Sequence, residues 1–228
     1  MKNKSIIIIL LFFLLLISQL GYSQIELLGM QIGRNMLSPS LKTMNDNNMT
    51  INSVKPFNPY TFGVHVEIKI IKGFGILHGL FFSNPGFMAD ATTKGPLPDF
   101  EEFNISLYYL DMPLYLQYKF LKGKFRIVVR TGPVISFGLG GKYTYSSQSD
   151  VASIKIHMGK GKDLPLCNYG ISAGLGVEII KLIQINVNYK YSLTNQLISP
   201  FELRSNGLYL GFCFLFKEKK QKVEIDTL

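Results

Sequence analysis

The chain has 228 residues, 47% of them hydrophobic, which is enough for one domain, but its two cysteines are too few for a disulfide framework. Lysine and arginine number 24 against 15 acidic residues, and the formal net charge of +9 indicates attraction to anionic lipid or polysaccharide. The basic residues form no motif interleaved with aromatic residues, so nucleic acid is excluded as the expected partner.

The N-terminus has the three parts of a secretory signal peptide. Residues 1–4 form a short basic segment, and residues 6–17 are almost purely aliphatic and aromatic. Gly21 and Ser23 then supply the small side chains that a signal peptidase recognises. The sequence therefore predicts a signal peptide over residues 1–23. An uncleaved transmembrane anchor is the alternative, which the shortness of the apolar run disfavours.

Eight later segments alternate apolar and polar residues with the period of two that is typical of a half-buried strand. Residues 183–194 alternate without exception, and their length matches the roughly 9–11 tilted residues that cross a bilayer as a strand. The eight predicted strands are residues 25–34, 59–70, 74–84, 105–120, 125–145, 166–179, 183–194 and 206–216. Cys167 and Cys213 fall on strands separated by another strand, so we expect two free thiols.

Long and short connections alternate between these strands. Short turns are predicted near residues 72, 122 and 181, and long loops over residues 35–58, 85–104, 146–165 and 195–205. This asymmetry is typical of a transmembrane barrel with short periplasmic turns and long extracellular loops. We therefore expect an all-β fold: an eight-stranded antiparallel transmembrane β-barrel over residues 24–216, followed by a charged C-terminal tail over residues 217–228.

A soluble β-sandwich would alternate in the same way, with its apolar faces turned inward. Large aromatic residues near both ends of the apolar faces favour the barrel, because they resemble the interfacial girdles around a lipid-facing band. The residues toward the long loops are Tyr60, Tyr108, Tyr169 and Tyr191, and those toward the short turns are Phe74, Phe120, Phe125 and Phe216.

Several segments resemble the PorT-like outer-membrane β-barrel proteins. Residues 109–120, Tyr-Leu-Asp-Met-Pro-Leu-Tyr-Leu-Gln-Tyr-Lys-Phe, resemble that family's Tyr-Leu-Glu-Ile-Pro-Leu-x-x-Lys-Tyr strand, and Gly132-Pro133 is similar to its Ala-Gly-Pro segment. Residues 174–178 and 188–195 resemble its Gly-x-Gly-x-Glu and Tyr-x-Tyr-Gly-Leu-Thr-Asn elements. The resemblance implies a location in the outer membrane of a Gram-negative cell and, through the family name, an accessory part in a protein secretion system.

Polar strand faces would fill the lumen, since an eight-stranded barrel is just wide enough for its own side chains. The hairpin at residues 180–182 predicts that Glu178 lies opposite Gln184 and that Ser172 lies opposite Lys190. Lys119 and Arg126 are expected to face each other as like charges without an assigned partner. The predicted polar network of the lumen, a structural site, consists of Glu67, Lys69, Asp111, Gln117, Lys119, Arg126, Arg130, Glu178, Asn186, Asn188 and Lys190.

No catalytic, metal or cofactor site is predicted. His65 is expected in the lumen and His78 toward lipid, while His157 falls in a loop with no serine or acid at a fixed spacing. The glycines of residues 138–141 belong to a strand, and no helix follows them to make a nucleotide cradle. We therefore expect a non-enzymatic protein without a cofactor.

The leading functional hypothesis is a structural or binding barrel of the outer membrane, with its lumen plugged by side chains. The alternatives are a narrow pore for small solutes, which would favour anions, and an accessory component of a secretion system. The expected partners are outer-membrane lipid and lipopolysaccharide, and a protein bound through the extracellular loops or the periplasmic tail. Basic residues are concentrated on the short-turn side, where they either serve solubility or contact lipid phosphates. They are Lys69, Lys72, Lys119, Lys122, Lys124, Arg126, Lys181 and the tail at 217–222.

Overall fold

A computed structural model describes residues 25–36, 40–43, 49–56, 59–93, 102–120, 123–146, 151–159, 162–194, 196–198, 201–204 and 206–216. The predicted signal peptide and the predicted charged tail lie outside these ranges. Within these ranges, no helix is long and apolar enough to cross a membrane.

Fourteen β-strands occur in the described ranges. They are β1 (Ile25–Asn35), β2 (Ser40–Thr43), β3 (Met49–Pro56), β4 (Tyr60–Ile71), β5 (Phe74–Asn84), β6 (Phe87–Thr93), β7 (Glu102–Phe120), β8 (Phe125–Ser146), β9 (Val151–Ile156), β10 (Cys167–Ile179), β11 (Ile183–Ser192), β12 (Gln196–Ile198), β13 (Phe201–Arg204) and β14 (Gly207–Phe216).

Eight of these described strands close into an antiparallel barrel. Strand β1 pairs with β4 on one side and with β14 on the other, so the first and last strands of the ring are joined. The ring continues through β5, β7, β8, β10 and β11 back to β14. The prediction of an eight-stranded antiparallel barrel is confirmed, and closure leaves no unpaired edge within the membrane.

The barrel strands turn apolar side chains outward and polar side chains inward. On β11, Gln184 and Asn186 are 0% and 1% exposed, whereas Ile185 between them is 43% exposed. A protein that folds in water has the opposite arrangement, so the observed faces exclude the sandwich and fit a barrel surrounded by lipid. Tyr108 is half-buried, and the other residues of the two predicted girdles are exposed: Tyr60, Phe74, Phe120, Phe125, Tyr169, Tyr191 and Phe216.

The register between β10 and β11 confirms the predicted hairpin. Glu178 lies opposite Gln184, and Ser172 lies opposite Lys190. Gly174 lies opposite Asn188 in the same ladder and opposite Arg130 of β8 in the next one. Cys167 on β10 and Cys213 on β14 are both free thiols, as expected.

The predicted long loops contain strands, and the expectation of loops there was wrong. Strands β7 and β8 continue beyond the barrel, and β3, β6 and β9 pair with one another or with these continuations. Strands β2, β12 and β13 form a separate small sheet. These segments lack the alternation of a lipid-facing strand because they pair outside the membrane, where neither face must be uniformly apolar.

The continuation of the barrel has a hydrophobic core of its own. We call β3, β6, β9 and the adjoining parts of β7 and β8 the extracellular sheet. Its buried core stabilises these strands without help from lipid. The core residues are Phe87, Ala89, Phe103, Ile105, Leu107, Tyr109, Ile156 and Leu164.

The close approach of Asn188 to Gly174 gives a test of this register. A Cβ atom at Gly174 would collide with the side-chain oxygen of Asn188, so we expect Gly174→Ala to lower the free energy of unfolding by roughly 1–3 kcal/mol. Ala173→Val adds carbon to the neighbouring exposed, lipid-facing position and is the matched control, with an expected change near zero. Urea unfolding of the refolded barrel, followed by its gel mobility without boiling, measures both variants. Equal stabilities would contradict the placement of Gly174 against Asn188.

Candidate functional site

The interior of the barrel contains two clusters of charged side chains at different depths. The first, at the end with the short turns, consists of Glu67, Lys119, Arg126 and Glu178, and we call it the turn-side cluster. The second, near the end with the long connections, consists of Ser83, Asp111, Ser136 and Lys190, and we call it the loop-side cluster. Arg130 lies between them.

The turn-side cluster is a chain of ion pairs across the lumen. The ammonium group of Lys119 pairs with Glu67 and lies 2.8 Å from Oε2 of Glu178. The guanidinium group of Arg126 pairs with the other oxygen of Glu178. Two cations and two anions from β4, β7, β8 and β10 therefore neutralise one another, and all four side chains are largely buried. Burial of such charges is tolerable only with this pairing.

This arrangement corrects the expectation that Lys119 and Arg126 face each other without a partner. The ladder between β7 and β8 places Lys119 opposite Val128, which is two residues along β8 from Arg126. Glu178 comes from β10 and bridges the two cations. Glu178 lies directly opposite Arg126 in the ladder between β8 and β10, and the long connection between these strands leaves that register open in the sequence.

Apolar and amide side chains complete the turn-side end of the lumen. Leu27, Cys213 and Leu215 form a buried hydrophobic cluster there, and Gln184 is fully buried. Nε2 of His65 lies 3.7 Å from Sγ of Cys213 and 3.9 Å from Oε1 of Glu67. His65 thus contacts both the apolar and the charged parts of this end.

The loop-side cluster holds its carboxylate between hydroxyl donors and an ammonium group. Asp111 accepts hydrogen bonds from Ser83, at 2.6 Å, and from Ser136. Nζ of Lys190 lies 3.2 Å from Oδ1 of Asp111 and donates to Oγ of Ser136 at 2.7 Å. This cluster is also electrically neutral.

Between the clusters, Arg130 is held by neutral groups. Its Nε donates to Oδ1 of Asn188 at 2.7 Å, and its guanidinium carbon lies 5.4 Å from the centre of the Tyr115 ring. Gln31 donates to the hydroxyl of Tyr209 at 2.7 Å. The guanidinium group is thus positioned by an amide and an aromatic face.

A cavity of about 100 Å³ occupies the lumen from Arg130 to the loop-side rim. Its polar lining includes Arg130, Lys190, Asp111 and Tyr209, and apolar side chains cover part of its wall. The apolar residues are Leu77, Pro85, Phe81, Phe87, Pro113 and Val134. The barrel is therefore filled at one end and open to a small molecule at the other.

Ten residues of the predicted lumen network line the interior, whereas Lys69 lies at its rim. Lys69 pairs with Gly75 in the same register as Glu67 with Leu77, but it is next to the turn, where its side chain is exposed. The residues that line the interior as predicted are Glu67, Asp111, Gln117, Lys119, Arg126, Arg130, Glu178, Asn186, Asn188 and Lys190.

The sequence analysis missed several partners of these residues. Ser83, Ser136, Tyr115 and Tyr209 lie on the inward faces of their strands, and only their alternation with apolar residues marked them. His78 points away from the lumen as expected, with its Nδ1 at 3.0 Å from the carbonyl oxygen of Pro113.

One pair outside the barrel was also missed. Nδ1 of His157 lies 3.7 Å from Oδ2 of Asp163, six residues further along the chain. Both side chains are more than half exposed, so the pair contributes little to stability.

Comparisons with known proteins agree with this architecture. A family model described as "Outer membrane protein beta-barrel domain" matches residues 21–197. Comparison with curated proteins gives no match.

Two solved structures illustrate the similarity. Ail, the attachment invasion locus protein of Yersinia pestis, is 13% identical, with 85% of this chain and 100% of that chain covered and a TM-score of 0.43. The outer membrane protein OprG from Pseudomonas aeruginosa is 14% identical, with 86% and 98% covered and a TM-score of 0.48. A further structure shows Ail in complex with the heparin analogue sucrose octasulfate, at 13% identity and a TM-score of 0.42.

The ion pairs of Glu178 give a second prediction. Glu178→Gln removes the shared anion and leaves Lys119 and Arg126 buried with excess positive charge, so we expect a loss of roughly 3–5 kcal/mol in the free energy of unfolding. Asp163→Asn, at an exposed pair outside the barrel, is the matched control and should change it by less than about 1 kcal/mol. Urea unfolding in micelles measures both. A Glu178→Gln barrel as stable as the control would show that the cluster does not hold the lumen together.

Proposed function

The chain belongs to the family of outer-membrane proteins with a β-barrel domain, and from that premise we propose that it is a sealed, non-enzymatic barrel that binds lipopolysaccharide. Sealing rests on the turn-side cluster, and lipopolysaccharide binding rests on a pair of lysines in the extracellular sheet. The PorT-like kinship and the accessory part in protein secretion stay predictions.

The turn-side end of the lumen supports a barrel that does not conduct. Glu67 and Glu178 are 1% and 0% exposed, and both carboxylates are engaged by cations that reach across the lumen. A narrow pore would require these ion pairs to separate in a space that contains little water, which is costly. The cavity on the loop side extends to Arg130, and none of the four turn-side residues lines it, which supports a recess rather than a channel.

Two opposed lysines carry the proposal of an anionic partner. Lys142 on β8 lies directly opposite Lys155 on β9, and both side chains are exposed. Like charges at opposite positions of two strands destabilise their pairing, and an anion between them removes that cost. The pair therefore has the chemistry of a phosphate-binding site on the surface of the extracellular sheet.

The height of this lysine pair matches the lipid phosphates of the outer leaflet. Gly140 pairs with Tyr108, a residue of the predicted girdle toward the long loops. Lys142 follows two residues later on the same, outward face, roughly 7 Å further along the strand, which for a strand tilted by about 40° is roughly 5 Å further from the membrane centre. The lysines thus face sideways at the level where lipopolysaccharide carries its phosphates. This is the single observation that favours lipopolysaccharide over a soluble partner.

Sealing can be tested by electrical measurement. We expect the protein in planar bilayers to show no unitary conductance, because the paired charges and the apolar cluster block the turn-side end. The control is a sample of the same preparation, refolded to the heat-modifiable form and shown by protease protection to be inserted. Reproducible conductance steps that depend on voltage or salt from inserted protein would replace the sealed barrel with the pore.

Lipopolysaccharide binding can be tested with the two lysines. A Lys142→Gln, Lys155→Gln variant loses about 1 kcal/mol per charge near an anionic surface, so we expect roughly thirtyfold weaker binding to lipopolysaccharide in mixed micelles. The matched control is Lys69→Gln, Lys124→Gln, which removes two exposed lysines at the turn-side end. Binding can be followed by the lipopolysaccharide retained per barrel after purification and by calorimetric titration. Equal binding of the two double variants would contradict the proposal.

A further inference from the structure

The charges inside the barrel do not balance. The turn-side cluster contains two cations and two anions, and the loop-side cluster contains Lys190 and Asp111. Arg130 belongs to neither cluster and forms an ion pair with none of the carboxylates in the part of the chain that the structure describes. It is nevertheless 3% exposed. A single positive charge in the middle of the lumen thus lacks a counter-ion.

We propose that the loop-side cavity binds a small carboxylate that carries a short apolar chain, with Arg130 as its counter-ion. An isolated buried charge costs several kcal/mol unless an opposite charge or strong hydrogen bonds accompany it. The guanidinium group offers five N–H donors in a planar fork that matches a carboxylate, and Nε is already used by Asn188. The remaining donors belong to a side chain that lines the cavity.

Other groups around the cavity also donate rather than accept. The hydroxyl of Tyr209 accepts a hydrogen bond from Gln31, which leaves its own proton for a ligand. The ammonium group of Lys190 contacts Asp111 and Ser136 and has a third proton. With Arg130 and Lys190 against Asp111, the lining has one net positive charge. A monoanion would neutralise it.

The size and the apolar wall of the cavity define the rest of the ligand. About 100 Å³ is smaller than the roughly 150 Å³ cavity that holds a benzene molecule, so the ligand has few heavy atoms. Leu77, Phe81 and Val134 line the same space as Arg130. A butyrate-sized molecule satisfies both requirements: its carboxylate meets the cation, and its carbon chain covers the apolar wall. A bare inorganic anion would leave that wall uncovered.

The Gly174 position is part of this site. The missing side chain leaves room for Asn188, whose oxygen accepts from Nε of Arg130 and so fixes the plane of the guanidinium group. The aromatic face of Tyr115 supports that plane at 5.4 Å from the guanidinium carbon. The cation is therefore held in one orientation before a ligand arrives, which lowers the entropic cost of binding.

The probe for this site is butyrate, with butyramide as its neutral analogue of the same shape. Both are titrated calorimetrically into the full chain in phosphatidylcholine nanodiscs free of lipopolysaccharide, with empty nanodiscs as a blank. We expect saturable binding of butyrate and binding of butyramide that is at least about tenfold weaker, because the amide lacks the charge. The nanodiscs contain no lipopolysaccharide, and the lysine pair shares no residue with the cavity. This test can therefore fail or succeed independently of the test of lipopolysaccharide binding.

Variants assign the binding to the cavity. Arg130→Met keeps an unbranched apolar side chain but removes the guanidinium group, and it should weaken butyrate binding about tenfold to a hundredfold. The same substitution at Arg34, an exposed arginine on β1, should leave butyrate binding unchanged. Val134→Phe fills the cavity without changing its charge and should weaken butyrate binding to a similar degree. If the Arg130→Met barrel does not refold, the Val134→Phe variant alone tests whether butyrate binds in the cavity.

Three results would overturn the proposal. The first is a titration without saturable heat up to about 10 mM butyrate, a concentration tenfold above a millimolar Kd. The second is equal binding of butyrate and butyramide. The third is undiminished butyrate binding by a folded Arg130→Met or Val134→Phe barrel. Preference for butyrate together with its loss in either cavity variant supports it.

Discussion

Glu178 lies between Lys119 and Arg126 and contacts one cation with each of its carboxylate oxygens. Lys119 also reaches Glu67, so a single chain of ion pairs links four strands of the ring across the lumen. The geometry of this chain requires the sheet to curve around the lumen, as it does in the closed barrel, since β4 and β10 lie on different sides of β7 and β8. Closure in turn leaves no polar backbone edge in contact with lipid. The ion pairs and the ring therefore stabilise each other.

Two solvents act on the barrel. Lipid surrounds the outward side chains, such as Ile185, and is as apolar as they are, so no hydrophobic force drives them to pack against one another. The hydrophobic effect therefore fixes the depth of the barrel in the membrane rather than its strand order. The interior supplies the specificity, because buried groups such as Arg130 and Lys119 require partners of the right polarity and find them in Asn188 and Glu67. Outside the membrane, the extracellular sheet returns to the ordinary arrangement, with Phe103 and Ile105 buried in a core.

The sequence predicts those features that depend on local periodicity and little beyond them. Alternation identifies the eight strands, their faces and, through a short turn, the pairing of Glu178 with Gln184. The partners of Lys119 could not be predicted, because Glu67 and Glu178 lie 52 and 59 residues away, respectively. They meet it across β5 and β8, and the long connections after these two strands leave the register of the next strand open in the sequence. Strands β3, β6 and β9 escaped prediction for another reason: they pair in water, where the membrane imposes no alternation.

The distribution of charge along the lumen distinguishes the turn-side end from the cavity. If the turn-side cluster contained the extra cation, the barrel would lose the neutrality that makes its closure stable. The extra charge instead lies at Arg130, against the cavity, where an anion from outside can reach it without separating any ion pair. Under the proposed function, a recess that is closed by neutral pairs and lined by one unbalanced cation would retain an anion instead of passing it on. The proposed sealing and the proposed anion binding thus rest on different side chains, the turn-side ion pairs and Arg130.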